Sequence, residues 1–281
     1  MRGLVSTPLK QAALMATGLA IALVLLFPIY WMAMTAIMPT GEILSRNPRL
    51  LPDLGLVSFT AFAEVFERRP FLRWMLNSLT VSAISTLLSL FVAMLAGYSL
   101  SRWRFRGQQI TGAGLLLSKL IPTSLIIIPL FILFNVTGLI DSYVGLVIAN
   151  MSVGIPLATW LMKGFFDRIP QELEQAAMID GCSRMQALRY VILPLSRPGL
   201  AACSVYLLIV SWSEFIFART LITSDGKQLL TVGLQSFVGE YEVQWATLMA
   251  AGSVSLIPVV ILFLILEPFL VSGMTKGALA N

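Results

Sequence analysis

Between residues 11 and 38 the chain carries no charged side chain. That leaves few folds open. A helix of about 20 apolar residues crosses the hydrocarbon of a bilayer. In lipid every backbone N–H and C=O needs an internal partner, which a helix supplies by itself. A soluble helix would carry a polar face, and this run has none. Five further apolar runs follow, at about 74–100, 108–134, 143–166, 199–218 and 245–270, each with at most one charged side chain. The prediction is an all-α integral membrane protein with six transmembrane helices. Composition agrees, with 57% hydrophobic and 12% charged residues, where soluble domains carry about a quarter charged. The first run is too long for a signal-peptide core and lacks a clear cleavage site, so it is read as a retained span.

One polar stretch interrupts the pattern. Residues 167–198 hold four acids and four arginines. Pro170 suits a first helical position, where no donor is lost. Glu172 and Glu174 sit in the first turn, where the macrodipole favours anions. Gly181 supplies a left-handed stop. Ser183 with Gln186 reads as a capping box opening a second helix over 184–192, closed by Pro194 and Pro198. Met185, Leu188 and Ile192 share one face of that helix, which is predicted to pack on the span ends. Phe59, Phe62 and Phe66 stand at helical spacing in the first loop and predict a short interfacial helix.

Basic residues set the orientation. Arg2 and Lys10, then Arg102, Arg104 and Arg106, then the arginines of the polar stretch with Lys163, and finally Lys276 give eleven on one side. Arg46, Arg49, Arg68, Arg69 and Arg73 of the first loop, with Arg219 and Lys227, give seven on the other. The bias favours both termini and the polar stretch in the cytoplasm. The net charge of +5 serves as topogenic anchoring and implies no nucleic-acid partner. The chain has no histidine, which removes His-based metal sites and triads. Cys182 and Cys203 lack metal spacing and are read as free thiols.

Several motifs, in order, resemble the permease subunits of binding-protein-dependent ABC importers, best the carbohydrate type. Glu174-x-Ala176-Ala177-x-x-Asp180-Gly181 with Pro194-x-x-x-Pro198 is similar to that family's EAA loop, with Gln175 where the family has Glu. Ala96-Gly97-Tyr98 before Arg102-x-x-Phe105-Arg106-Gly107, Trp212-Ser213-Glu214-Phe215, and the Gly273 to Ala278 tail resemble further signatures. The resemblance spans about 71–278. It implies the type I importer permease fold: a first transmembrane helix and outer loop over 1–70, then a permease core over 71–281, with the EAA loop (167–198) as a cytoplasmic coupling helix between spans four and five. It also implies an inner membrane of a bacterium or archaeon, a second permease subunit, two ATPase subunits and an extracytoplasmic solute-binding protein.

No Gly-x-x-x-x-Gly-Lys-Ser/Thr pattern occurs, so no P-loop is expected here. ATP and Mg would belong to a partner, and no cofactor to this chain. The expected coupling residues are Glu172, Glu174, Ala176, Ala177, Asp180 and Gly181. Glu174 would reach a basic residue of the ATPase, and the two alanines would permit close approach. Polar groups at membrane depth are pathway candidates by default: Lys119, Asn150, Ser211, Ser213 and Glu214, with Trp212 or Trp160 as a stacking face for a sugar. The structural alternative is a Lys119–Glu214 pair that specifies packing. Pro122 and Pro129 predict kinks in the third span. An ion-coupled secondary transporter would need buried acid relays or inverted repeats, and a membrane enzyme would need a catalytic cluster. Neither pattern is visible.

Overall fold

The computed structural model describes residues 8–43, 45, 49–51, 53, 55–239 and 243–278. Arg2 and Arg46, counted above as topogenic charges, lie outside these. The described residues are helical apart from loops and one isolated antiparallel bridge between Val238 and Val243. The chain divides into two compact units. One runs through Phe71 and takes in Leu234–Leu256, and the other comprises Leu72–Gly233 and Ile257 onward.

In the first unit, α1 (Pro8–Ile37) keeps Pro28 inside the helix. It is followed by α2 (Thr60–Glu67), the short helix expected over the Phe stripe. Its buried residues are Ala61 and Val65, while Phe59 and Phe66 are exposed. Phe59 and Phe66 therefore face outward, Phe62 is half-buried, and Ala61 and Val65 pack inward. Thr247 donates to Glu64 Oε2 at 3.1 Å, tying α2 to the last helix.

The second unit is built on α3 (Phe71–Arg102) and, further on, α6 (Tyr143–Asp167). They approach closely at Gly97, where a Cβ would lie 2.8 Å from the Met162 Cβ and 2.9 Å from the Lys163 backbone nitrogen. Between them the third span is not one kinked rod. It consists of α4 (Gln108–Leu117), a 3-10 turn (Ser118–Leu120) and α5 (Thr123–Thr137), bent by 98° at the break. Pro122 breaks the helix because Ile121 before it is extended, with ψ 118°, as a pre-proline residue prefers. Pro129 stays inside α5.

Then come α7 (Gln171–Ile179), α8 (Arg184–Leu195), α9 (Arg197–Trp212), α10 (Ile216–Leu221), α11 (Leu230–Gln235) and α12 (Trp245–Ala278). The last helix keeps Pro258 and Pro268 inside it and runs to Ala278, beyond the expected end of the sixth span near 270. Among the described residues four helices are long and apolar enough to cross a membrane by length and composition, and up to six spans result if each of two bent pairs counts as one. One core gathers Phe134, Leu146, Val147 and Phe217, and another gathers Tyr98, Met162, Phe166, Leu188 and Ile192.

At the end of the unit away from α7, Asp141 holds a loop. It is a non-glycine residue at φ 54°, a conformation Asp tolerates better than most. Its carboxylate accepts from the Thr223 and Ser224 backbone N–H groups at 3.0 and 2.9 Å, from Ser224 Oγ at 2.6 Å and from Lys227 Nζ at 2.8 Å. Asn77 Nδ2 donates to the Gly226 and Gln228 carbonyls at 3.1 and 2.9 Å.

Candidate functional site

The polar stretch folds as two capped helices. Pro170 is the N-cap of α7, one position outside the first helical position expected for it. Glu172 and Glu174 occupy that turn. At the far end Cys182 N–H bonds the Ala177 carbonyl at 3.0 Å and Gly181 N–H bonds the Met178 carbonyl at 3.1 Å. These two bonds form a Schellman motif, and Gly181 takes φ 93°, as the sequence requires. The Ser183–Gln186 capping box is present in both directions, at 2.7 and 3.4 Å. The following helix contains a π-turn, Leu188–Ile192, just before Pro194, whose ring lacks a donor and crowds the carbonyl four residues back. Leu188 and Ile192 are buried, but Met185 is 64% exposed. The packing face is therefore narrower than the expected trio.

Glu174 departs from expectation. Its side chain is buried, and both oxygens are taken within the chain. Tyr98 Oη donates to Oε1, and Arg102 Nε donates to Oε2 at 2.9 Å. The remaining Arg102 donors reach the Phe166 and Ile169 carbonyls, each at 3.1 Å, and Ser101 Oγ at 3.2 Å. One guanidinium thus joins the end of α3, the end of α6 and the body of α7. The planar fork of arginine suits this many fixed acceptors, where an ammonium would not. Tyr98 stacks edge-on against Phe166 and Trp103, and Arg184 lies 5.3 Å from the Trp103 ring. An anion removed from water needs partners where it stands, and Glu174 finds them here in Tyr98 and Arg102 of its own chain. Arg102 and Tyr98 read in the sequence as a topogenic anchor and a span exit, which conceals this role.

The exposed side of α7 carries an apolar stripe between polar residues. Ile179 is 86% exposed, Leu173 43%, and Ala176 lies between them. Glu172, Gln175, Asp180 and Gly181 are exposed as well, while Ala177 is buried with Glu174.

The pathway candidates separate into two groups. Asn150 and Glu214 line an open cavity of about 300 Å³, with Thr123, Val153, Ser213 and Phe215 among the other walls. Asn150 is buried. Its Nδ2 donates to Ser211 Oγ at 2.8 Å and to Ser85 Oγ at 3.5 Å, and its Oδ1 has no protein partner. Glu214 sits in the gap between α9 and α10, its carboxylate accepting from the Phe217 and Ala218 N–H groups at 2.7 and 2.9 Å. Ser211 supports Asn150 from behind. Trp212 and Lys119 are not among the lining residues, and Trp160 is elsewhere on α6. Lys119 donates to the Val153 carbonyl and lies 5.6 Å from the Tyr206 ring. No Lys119–Glu214 pair forms among the described residues, because each group already has its partners. Thr123 was not anticipated. The break at Pro122 was its only sequence signal.

The family described as binding-protein-dependent transport system inner membrane component matches residues 85–276. The chain belongs to this family. It is a multi-pass permease of the ABC importer kind, a transport subunit rather than an enzyme, and the secondary-transporter and membrane-enzyme readings fall. Among the permease's relatives are the diacetylchitobiose uptake system permease protein DasC of Streptomyces coelicolor, 35% identical over 93% of this chain and 94% of that one, and the inner membrane ABC transporter permease protein YcjP of Escherichia coli, 34% identical over 92% and 93%. The trehalose/maltose transport system permease protein MalG of Thermococcus litoralis is 30% identical over 96% and 97%. These place the permease with the carbohydrate type. Its fold matches a chain from a crystal structure of a bacterial ABC transporter involved in the import of the acidic polysaccharide alginate, with TM-score 0.76 and 23% identity over 95% of this chain and 99% of that one.

Proposed function

We propose that this chain is one of two unlike permease subunits of a bacterial or archaeal importer for a sugar, polyol or related solute. Two ATPase subunits that bind ATP and magnesium drive it, and an extracytoplasmic binding protein delivers the solute. The observation carrying this reading is the apolar stripe on the outer face of α7, with Leu173, Ala176 and Ile179 exposed on a helix that its own chain clamps from behind. A rigid helix presenting small and aliphatic side chains suits a cleft on a moving partner. Glu172, Gln175 and Asp180 form the polar rim of that contact. Glu174, Ala177 and Gly181 shape the helix that makes it. Both termini and α7 face the cytoplasm.

Reconstitution into proteoliposomes tests this. The expected result is ATP-dependent solute uptake that requires the ATPase, the second permease and the binding protein. Uptake by this chain alone, driven by an ion gradient, would overturn it.

A further inference from the structure

Helix α8 lies across the end of the membrane core. Its neighbour α9 runs antiparallel to α6, one of the four long apolar helices. The start of α9 meets the end of α6, where a Cβ on Gly199 would lie 2.5 Å from the Phe165 ring. The end of α9 meets the first half of α6, where Ser211 bonds Asn150 at 2.8 Å. From α9 the chain bends by 79° into α8. A helix at that angle to the spans does not continue one across the bilayer and lies close to the membrane plane. α8 buries Ala187, Leu188 and Ile192 against its own chain. The side away from that core exposes Met185, Arg189 and Tyr190. Aliphatic, aromatic and basic side chains on one exposed face suit a helix seated in the interface, where tyrosine and tryptophan are enriched.

The turn after α3 joins this face. Arg184 lies 5.3 Å from the Trp103 ring, and both are exposed. Arg104 and Arg106 flank Phe105, again all exposed. Arg189 lies 5.6 Å from the Tyr190 ring. None of these four arginines has an acid partner among the described residues. A guanidinium resting on a ring keeps its N–H donors, and its planar fork matches two oxygens of a phosphate. The exposed acids nearest in sequence, Glu172 and Asp180, belong to α7.

We propose that α8 and the turn over 103–107 form a docking surface for anionic phospholipid. Met185 and Tyr190 sit at the headgroup boundary, and Arg104, Arg106, Arg184 and Arg189 donate to lipid phosphates. This goes beyond the permease reading and takes from it only that this end of the molecule faces the cytoplasm, the leaflet whose anionic lipids attract basic segments beside a span. Charge complementarity selects the occupant. Four unpaired guanidinium groups buried in a protein cleft would each need a counter-charge, whereas the headgroup layer offers phosphates and stays wet.

The test uses the whole assembly in nanodiscs of phosphatidylcholine and phosphatidylglycerol. A bimane is placed on Met185→Cys in a background of Cys182→Ser and Cys203→Ala, and quenched either by a nitroxide on the lipid headgroup or by iodide in the water. The lipid-borne nitroxide should quench severalfold more strongly. Stronger quenching by iodide would make this a solvated face, and weak quenching by both would put it under a protein partner. Either result overturns the proposal. Lipid retained by the purified assembly from an equimolar mixture is then counted by mass spectrometry. The wild type should retain phosphatidylglycerol severalfold over phosphatidylcholine, and Arg104→Gln/Arg106→Gln/Arg184→Gln/Arg189→Gln should lose that preference. Equal retention by the wild type, or a preference that survives the four substitutions, overturns it as well. ATP-driven uptake by the wild-type assembly is scored separately. If uptake holds and the lipid measurements fail, only the docking surface falls, whereas loss of uptake with every partner present removes the permease reading itself.

Discussion

Arg102 Nε stands 2.9 Å from Glu174 Oε2 across 72 positions of sequence, with the two side chains only 4% and 6% exposed. The pair links the end of a membrane helix to the short helix that the polar stretch was expected to offer to an ATPase. Force applied to α7 therefore reaches α3 through a buried ion pair and α6 through the two carbonyls on the same guanidinium. A motion taken up by a loose loop would be lost locally, whereas a clamped α7 would carry its neighbours with it.

Arg102→Ala is expected to destabilise the second unit by about 3–5 kcal/mol, the usual cost of stranding one buried charge. Glu174→Gln should cost less, because a neutral amide is cheaper to bury than an uncompensated anion. Thermal unfolding in detergent measures both. Equal midpoints for wild type and Arg102→Ala would show that the clamp holds nothing.

The double variant Arg102→Met/Glu174→Met separates stability from coupling. Replacing both charges with apolar side chains is often neutral or stabilising. Its melting temperature should therefore lie above that of Arg102→Ala but below wild type, because the Phe166 and Ile169 carbonyls and the Tyr98 hydroxyl lose their partners, while solute-stimulated ATP hydrolysis in the assembly falls and basal hydrolysis stays. Wild-type stimulation in this variant would reduce the clamp to packing.

The parts legible in the sequence were those written in local chemistry. The Gly181 stop and the Ser183–Gln186 box are contacts between near neighbours, and a few residues specify them. The clamp was not legible, because Arg102 had a sufficient explanation as a cationic anchor and nothing local points from it to Glu174. The prolines show the same limit. Pro122 breaks its span and Pro129 does not, although both lie in one apolar run. A proline removes one backbone bond in either place, and neighbouring elements decide whether the freed groups are satisfied. The cavity follows from that break, so it too lay beyond the sequence.

The Asp141 loop gives a pH prediction. Hydrogen bonds from Lys227 and Ser224 hold its carboxyl well below the usual carboxylate range. A depressed folded value contributes stability above the unfolded value of about 3.9, and that contribution is lost as pH falls through the folded value. Hydrogen exchange at the Thr223 and Ser224 amides should therefore show constant protection, after correction for intrinsic rates, from pH 8 to pH 5, and loosening only under stronger acid. A midpoint near pH 6 would contradict the assigned bonds. Asp141→Asn should loosen the same two amides at neutral pH.

Orientation is tested by labelling single cysteines in a background without Cys182 and Cys203. Ser224 and Ser183 are both exposed. Ser224→Cys should react with an impermeant maleimide added outside intact cells, and Ser183→Cys only after permeabilisation. Outside labelling at position 183 would place α7 away from any cytoplasmic ATPase.

Gly181 isolates the backbone contribution. It sits at φ 93°, and a Cβ built there meets nothing within 4 Å. Any penalty for a side chain is therefore conformational and not steric with neighbours. Left-handed geometry costs an ordinary L-residue roughly 1–2 kcal/mol, and Asn less. A β-branched side chain is the worst fit for positive φ. The order of solute-stimulated ATPase activity should be Gly181, then Gly181→Asn, then Gly181→Ala, then Gly181→Val. Basal ATPase should be similar in all four, since none touches a nucleotide. The Schellman bonds from Cys182 and Gly181 fix how α7 turns into α8, so straining that turn moves the exposed Leu173–Ile179 face relative to the clamp. If Gly181→Val and Gly181→Asn behave alike, the left-handed turn does not govern coupling, and the orientation of α7 must be fixed by Arg102 alone.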